Sequence, residues 1–380
     1  MTGTFTNTII DHYEKSNIKL NFNKSYWSQI YKFYELIKEN YTQQLNIVIH
    51  ENIDQNTQVI DIIKNNLFSK DTFVSSNIGK TLHKYIYAHE IVCNEIQILY
   101  FSTKIKLSKK ELSDVKMCIY RVHSLKKLFK NNKPIVISLF PTLFKKTINK
   151  LSKKIKPLGT KNVNGGLTFY SLADSNNGTI ILWRYEELKK VLIHELFHAI
   201  YLDLGLILNE DIFQNYMKVK FKLNKFIGVN ESYVETIASI FNVLLHIIET
   251  KKSKDYIRYY IQVELFYAIT KASQILHYYN FGSLGELIKS NKKEFNQNSN
   301  VFSYYILKTL ILHKFDKIMC ILSKTKCVQN YFILNKNKEC SNNYLHIISN
   351  IYSKQMDSII KDIIANKHFI NSSLRMTCIE

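Results

Sequence analysis

Proline and glycine are scarce in this chain, whose 380 residues include only 3 prolines and 10 glycines. Because these two residues supply most tight turns, their scarcity disfavours a turn-rich β-sandwich or barrel. The many Lys, Glu, Leu and Ile residues favour long helices instead. Hydrophobic residues make up 46% of the chain and charged residues 22%, which excludes a disordered protein and provides enough apolar surface for a core. The composition therefore predicts a folded, mainly α-helical protein.

Long apolar runs and targeting signals are also missing. The stretch 301–312 comes nearest to a membrane span, but Ser303 and Lys308 interrupt it, and a bilayer span needs roughly 18 uninterrupted apolar residues. The segment MTGTFTNTIIDHYEKSN at the start of the sequence lacks the basic and apolar regions of a secretory signal. We therefore expect a cytoplasmic protein with no membrane span.

Cysteine motifs are absent as well. The six cysteines are widely scattered and contain no CxxC pair. This excludes a thiolate zinc knuckle and a redox dithiol of the usual spacing. Scattered cysteines in a cytoplasmic protein predict reduced thiols rather than disulfides.

Acidic residues are few relative to basic ones. The chain has 31 Asp and Glu residues against 52 Lys and Arg residues, a net charge of +21, and its lysines are densest in residues 104–161. Because such a surface attracts polyanions, we predict contact with a polyanion or nucleic acid through this Lys-rich region. The sequence contains no zinc finger, RNP strand or GxxG loop, and the codon bias of an AT-rich genome accounts for the charge as well. Charge alone names no partner.

Hydrophobic periodicity predicts two domains. Within residues 24–130, segments such as SYWSQIYKFYELIKENY, TLHKYIYAHEIVCNEIQILYF and KKELSDVKMCIYRVHSLKKLF repeat apolar residues three and four apart, so residues 1–130 are predicted as a helical N-terminal domain. The short apolar runs KPIVISLF, GGLTFYSL and TIILW then predict three strands. Strong helical patterns follow. We predict a mainly α fold with a small β-sheet (α+β), with residues 131–380 as the second domain.

The segment RYEELKKVLIHELFHAIYLDLG, directly after the third strand, has the pattern of a helix. Glu186 and Glu187 would lie in its first turn, where carboxylates favour the helix dipole, and Gly205 would serve as the C-cap. The helix is therefore predicted to continue to residue 204.

Within this helix, residues 194–198 form the H-E-x-x-H motif HELFH. Residues four apart lie on one helical face, so the imidazoles of His194 and His198 can bind one zinc ion, while Glu195 lies at the edge of the site. The spacing predicts two zinc ligands and a general base, Glu195. His89 and Glu90 do not form a second motif, because Cys93 stands where the second histidine would be needed.

The third zinc ligand is not contained in the same motif. A metzincin extension fails, since Tyr201 and Leu204 occupy its glycine and histidine positions. Asp203, the ligand of an aspzincin-like site, lies only five residues beyond His198 in the same predicted helix. A turn would be needed to return it to the metal, so we set it aside as a ligand.

Further along the chain, the sequence NESYVE, residues 230–235, resembles the N-E-x-x-x-[D/E] element of gluzincin zinc metallopeptidases. The resemblance implies that Glu231 is the third ligand and that Glu235 accepts a hydrogen bond from His194 or His198. Should Glu231 only cap its helix, Glu235 is the alternative ligand. The separation of 33 residues between His198 and Glu231 exceeds that in thermolysin-like members and is similar to that in clostridial neurotoxin light chains.

The resemblance also implies a fold and an activity. It implies a zincin-like catalytic domain that binds one Zn²⁺ per chain and hydrolyses a protein or peptide substrate as an endopeptidase, with the strand TIILWR at the edge of the cleft. Tyr304 and Tyr305 are candidates to stabilise the oxyanion. The combination of features resembles a predicted metalloprotease of a large DNA virus, which would place the protein in the host cytoplasm or the virion.

A second hypothesis is a basic, zinc-containing binding or virion-packaged protein without turnover. A purely structural zinc site needs no general base and normally has a fourth protein ligand. The presence of Glu195 therefore favours the enzyme.

Overall fold

The computed structural model describes residues 2–16, 24–51, 76–82, 84–148, 155–169, 178–223, 228–290, 294–329, 332–335, 337–366 and 371–379. Helices predominate among these residues, and the strands form one six-stranded sheet and two small pairs. The predicted fold class, mainly α with a small sheet, is confirmed.

The strands are β1 Val48–His50, β2 Tyr87–Cys93, β3 Ile96–Ser102, β4 Ile135–Leu139, β5 Leu158–Gly159, β6 Gly166–Phe169, β7 Gly178–Leu182, β8 Gln297–Asn298, β9 Val328–Gln329 and β10 Ile333–Leu334.

The helices are α1 Thr2–Lys15, α2 Lys24–Tyr41, α3 Ser76–Leu82, α4 Lys109–Leu128, α5 Thr160–Val163, α6 Leu188–Ala199, α7 Leu204–Ile207, α8 Glu210–Phe221, α9 Val229–Glu249, α10 Tyr256–Tyr278, α11 Leu284–Lys289, a π-helix Phe302–Leu307, α12 Lys308–His313, α13 Phe315–Lys324, α14 Lys338–Ser349 and α15 Lys354–Asn366. None of these helices is both long and apolar enough to cross a bilayer.

The main sheet has the order β1-β2-β3-β4-β7-β6. Strands β3, β4 and β7 run parallel to one another, whereas β1, β2 and β6 pair antiparallel with their neighbours. The strands predicted from KPIVISLF, GGLTFYSL and TIILW are confirmed as β4, β6 and β7. Strand β7 lies between β4 and β6, so the edge position predicted for TIILWR is wrong. Its continuous apolar run is typical of an interior strand, and the edge is formed by β6.

Helix was also predicted for TLHKYIYAHEIVCNEIQILYF, and for most of this segment that prediction is wrong. The chain forms the hairpin β2–β3, with a turn at Asn94, whose φ of 51° lies in the left-handed region. The many apolar and β-branched residues satisfy both the helical and the strand period, and the two-residue turn decides between them. The predicted domain boundary at residue 130 lies between β3 and β4, which are neighbours in this sheet.

Helix α6, which contains the HELFH motif, packs between the sheet and helix α9. Its residues contact β6 and β7 on one side and α9 on the other. Phe197 meets Phe241 of α9 edge to face at 5.4 Å and Phe129 at 5.6 Å, and all three rings are buried. The rigid apolar contact fixes the distance between the two helices that bear the predicted ligands.

Both ends of α6 differ from the prediction. The helix begins at Leu188, and the carboxylates of Glu186 and Glu187 bind backbone groups outside it. It ends at Ala199 rather than at residue 204, because Tyr201 adopts a left-handed conformation with φ of 61°. The chain therefore turns sharply five residues earlier than expected.

Residues 374–379 lie inside the protein against the helices around α6. Leu374, Thr377 and Cys378 are fully buried. The backbone amides of Met376 and Thr377 donate to Glu187 Oε1 at 2.5 and 2.7 Å, so the start of α6 is bonded to this segment.

Two of the cysteines form a disulfide, so the prediction of reduced thiols is wrong for this pair. The hairpin β9–β10 returns the chain on itself and brings the Cα atoms of Cys327 and Cys340 to 5.2 Å. Because the two residues are 13 positions apart, no short cysteine motif marks them. The four other cysteines are free.

A buried ion pair connects α4 to α9. Arg121 donates from Nε and Nη2 to the two carboxylate oxygens of Glu249, at 2.6 and 2.7 Å, and from Nη1 to Asn242 at 2.8 Å. Tyr41 of α2 donates to the same carboxylate at 3.2 Å. The N-terminal helices are thus bonded to the helix that bears Glu231.

We expect Arg121→Met to destabilise the protein by about 3–5 kcal/mol, because it leaves the buried Glu249 carboxylate without its cation. The free energy of unfolding in urea measures this change. Lys254→Met is the matched control. Its ion pair with Glu35 is more than half exposed at both side chains, so the change should remain below about 1 kcal/mol. Equal effects of the two substitutions would contradict the prediction.

Candidate metal centre

Three predicted ligand residues meet where α6 and α9 face each other. The Nε2 atoms of His194 and His198 lie 3.1 Å apart. Glu231 Oε2 lies 3.1 Å from Nε2 of His194 and 3.4 Å from Nε2 of His198. Both histidines are buried, and Glu231 is partly exposed. Among the described residues, this is the one cluster of His, Cys, Asp or Glu side chains with the spacing of a metal site.

The opposite nitrogen of each ring faces a buried carboxylate. Glu235 Oε2 lies 2.9 Å from Nδ1 of His194, and Asp203 Oδ2 lies 2.8 Å from Nδ1 of His198. A neutral imidazole that carries its proton on Nδ1 presents a lone pair at Nε2, the form in which histidine binds a metal. The structure thus brings Glu235 to the place predicted for it, against His194.

Asp203 is a site residue that the sequence reasoning missed. On the continuous helix that the sequence predicts, this residue could only be weighed as a ligand. The early end of α6 returns it beneath His198, where it contacts Nδ1 rather than the space between the Nε2 atoms. Asn230 Nδ2 also donates to Asp203 Oδ2, at 2.9 Å. The amide beside Glu231 therefore holds the carboxylate that orients His198.

The three donor atoms fit a zinc ion. Zinc–donor distances of about 2.0–2.2 Å in a tetrahedron separate neighbouring donors by about 3.3–3.6 Å, close to the observed 3.1, 3.1 and 3.4 Å. With protons on the Nδ1 atoms, the lone pairs of His194 and His198 face each other and a carboxylate oxygen. These electron-rich atoms repel one another. A cation between them would be attracted to all three.

Glu195 lies against the edge strand β6. Its Oε2 accepts a hydrogen bond from Thr168 Oγ1 at 2.8 Å, and the same hydroxyl lies 2.9 Å from the Glu195 carbonyl oxygen. A Cβ atom on Gly166 would come within 2.7 Å of Glu195 Cγ, so only glycine allows this approach. Burial raises the pKa of the Glu195 carboxyl above its ordinary value.

Behind Glu235 lies a buried group of charges. Its Oε1 forms an ion pair with Lys190, one turn before His194 on α6. Lys308 Nζ of α12 lies 3.7 Å from the same oxygen, 3.6 Å from Glu264 Oε1 and 2.7 Å from the carbonyl oxygen of Met376. Burial would raise the pKa of Glu235, but Lys190, His194 and Lys308 hold that pKa well below its ordinary value. The carboxylate is therefore ionised beside His194.

The carboxylates around the two histidines favour positive charge at the imidazole rings. Burial would lower the pKa of His198, but the carboxylates of Asp203 and Glu231 outweigh burial and raise this pKa well above its usual value. The pKa of His194 is raised in the same way by Glu231 and Glu235. The site therefore stabilises positive charge. A metal ion would compete with protons for the histidine nitrogens.

A cavity of about 690 Å³ opens from the cluster. Its described lining residues are Thr160, Asn164, Gly166, Leu167, Thr168, Phe169, His194, Glu195, His198, Ile207, Glu210, Gly228, Asn230, Glu231, Gln297, Asn298, Ser299, Asn300 and Tyr304.

The two tyrosines predicted as oxyanion candidates lie in different surroundings. Tyr304 lines the cavity, with its ring centroid 6.1 Å from that of His194. Tyr305 does not line it, and its buried hydroxyl donates to the carbonyl oxygen of Leu374 at 2.5 Å. The structure therefore brings Tyr304 to the site and not Tyr305. Both belong to the π-helix, a rare conformation that is frequent at functional sites.

Lysines of the region 104–161 lie elsewhere. None of the described ones lines the cavity. Lys126 and Lys146 are buried, and Lys146 forms an ion pair with Glu187 at 3.0 Å. Most of the others are exposed, as at Lys104, Lys110 and Lys133.

No protein-family model, curated protein or solved structure matches this chain in the comparisons.

We expect Asp203→Asn to weaken zinc affinity about 10- to 100-fold, because the amide cannot accept the His198 Nδ1 proton as a carboxylate does. Competition against a chromophoric chelator measures the affinity. Asp211→Asn, an exposed carboxylate in the first turn of α8, is the control and should leave it unchanged. Equal affinities of the Asp203 variant and the wild type would show that this contact does not support the ligand.

Proposed function

We propose that the protein is a zinc-dependent endopeptidase of the gluzincin type. The observation that carries this proposal is the His194, His198 and Glu231 cluster in the lining of a cavity of about 690 Å³, which Glu195 also lines. The HELFH and NESYVE motifs lie on two helices that the fold packs face to face, as the gluzincin resemblance requires.

In this assignment His194 and His198 bind zinc through Nε2 and Glu231 binds it through Oε2. Glu235 and Asp203 orient the two rings. A zinc ion held by three protein ligands supplies Lewis acidity, which lowers the pKa of water towards neutrality and polarises a carbonyl group.

Glu195 is the proposed general base. It accepts a proton from the attacking water and delivers it to the amine that leaves when the peptide bond breaks. The hydrogen bond from Thr168 orients its carboxylate. Burial raises the pKa of Glu195, which makes the carboxylate a stronger base than an exposed glutamate.

Tyr304 is the proposed oxyanion donor. Burial and the charges of Glu231 and Glu195 raise the pKa of its hydroxyl well above the usual value, so the hydroxyl keeps its proton at neutral pH. A protonated hydroxyl on the cavity wall can donate a hydrogen bond to the oxyanion that forms as the carbonyl is attacked.

The edge strand β6 is the proposed docking site for the substrate backbone. Its residues line the cavity, and it carries Thr168 next to the general base. An extended peptide can add to an exposed sheet edge through main-chain hydrogen bonds. The sequence lacks the G-x-M-E-N element of M1-like aminopeptidases, so we propose internal cleavage rather than removal of N-terminal residues.

A structural zinc site is less consistent with this geometry. Structural sites are normally closed by a fourth protein ligand. Within the described part of the chain, the cluster has three ligand residues and faces a cavity.

We expect one zinc per chain in the wild type and in Glu195→Gln, and little or none in Glu231→Ala. Hydrolysis of unfolded casein should fall at least about 100-fold in Glu195→Gln, because the general base is lost while the ligands remain. Elemental mass spectrometry and a fluorescent casein assay measure the two quantities. Glu339→Gln, an exposed first-turn glutamate of α14, should match the wild type in both.

The possible outcomes separate the two hypotheses. Absence of zinc from the wild type would contradict the metal centre and favour the basic binding protein. Zinc without hydrolysis of any protein substrate would contradict the enzyme and favour a binding protein that contains zinc.

We expect the apparent zinc affinity to rise with pH. The raised pKa values of His194 and His198 mean that the metal-free site keeps its protons to a higher pH than ordinary histidines do, and zinc must displace them. Below these pKa values the affinity should increase by about tenfold per pH unit for each proton displaced. Chelator competition between pH 6 and 8, with calorimetry in two buffers to count protons, tests this. Constant affinity without proton release would refute it.

A further inference from the structure

The cavity and the rest of the protein carry opposite charge. The chain has a net charge of +21. Yet no Lys or Arg occurs among the described residues that line the cavity, whereas three carboxylates do: Glu195, Glu210 and Glu231. Two of these have roles at the metal centre. Glu210 has none, because it is not part of the cluster of potential ligands.

Glu210 begins helix α8, on the wall that α7 and α8 form, and it is partly buried. Ile207 lies three residues before it and also lines the cavity, as do Leu167 and Phe169 of β6. The lining of the cavity therefore combines apolar side chains with a carboxylate. Its other polar lining is mostly neutral and includes Asn164, Gln297, Asn298 and Asn300.

We propose that Glu210 is a specificity-determining residue that binds a cationic group of the peptide substrate, namely the side chain of a lysine or arginine near the scissile bond. The proposal rests on the proposed function in that the ligand is a peptide. It adds the substrate class, which the metal centre alone does not specify.

The chemistry of the wall matches such a side chain. Lysine and arginine have long aliphatic stems that pack on apolar surface while the charged end reaches a carboxylate. Burial and the nearby carboxylates of Asp211 and Glu231 raise the pKa of Glu210 to about 7, so a cation beside it would stabilise its ionised form. A basic protein surface also leaves the cavity as the favourable destination for a cationic segment.

A substrate α-ammonium group offers the same cationic chemistry. The two sources differ in one respect that an experiment can use. Acetylation of the peptide N-terminus removes the α-ammonium charge and leaves lysine and arginine side chains unchanged.

The test is affinity selection from degenerate octapeptide libraries, one with acetylated and one with free N-termini. The zinc-loaded Glu195→Gln protein serves as bait, so that binding is measured without turnover. We expect lysine and arginine to be enriched at one position of the retained acetylated peptides. Adding Glu210→Gln should reduce this preference about 10- to 100-fold, the loss expected for a hydrogen bond to a charged group. Adding Glu339→Gln, the exposed first-turn glutamate of α14, should leave the preference intact.

Three results would overturn the proposal: no retained peptides, a retained pool without basic enrichment, or enrichment that survives Glu210→Gln. If peptides are retained only from the library with free N-termini, Glu210 binds the α-ammonium group. That result would overturn the side-chain assignment. Digestion of the same libraries by the wild type tests the proposed function separately. Basic enrichment on the bait without cleavage by the wild type would retain the subsite and reject the peptidase.

Discussion

The carboxylate of Glu235 is the contact on which the rest of the candidate metal centre depends. One oxygen faces His194 and the other faces Lys190 and Lys308. A carboxylate this deeply buried would lose its charge if it were alone, and a protonated Glu235 would no longer hold the His194 ring as an acceptor. The two lysines keep it ionised. Because they belong to α6 and α12, the orientation of one ligand requires that three helices pack correctly.

The same contact explains why so much charge is buried near the centre. Lys308 needs Glu264 and the Met376 carbonyl as further partners, and Glu187 binds the backbone of the same segment. Each group is stabilised by the next, and removal of any one would leave a charge without its partner in an apolar interior. Such a buried network adds little to the net free energy of folding. It specifies one arrangement of the helices, because only that arrangement pairs every charge.

Local geometry determines which parts of the site were predictable from sequence. The pairing of His194 with His198 follows from the helical repeat, whereas Glu231 and Glu235 were predicted from the resemblance of NESYVE to the gluzincin element. Asp203 could not be found, because its position depends on a left-handed Tyr201 that ends α6 early. The choice between Tyr304 and Tyr305 depends on the π-helix, which adjacent aromatic residues do not reveal. The β2–β3 hairpin was mistaken for helix because its apolar residues fit both periods.

The buried position of residues 374–379 affects how the protein is made. Lys308 and Glu187 hold this segment beside α6 and α9, but Met376 follows Glu235 by 141 residues. A ribosome that adds about 5–20 residues per second needs roughly 7–28 seconds to cover that distance. The histidines thus leave the ribosome well before the last part of their support. During this interval Lys308 and Glu187 lack their contacts with this segment, so the charge network behind the candidate site is completed only after the segment has been synthesised and packed.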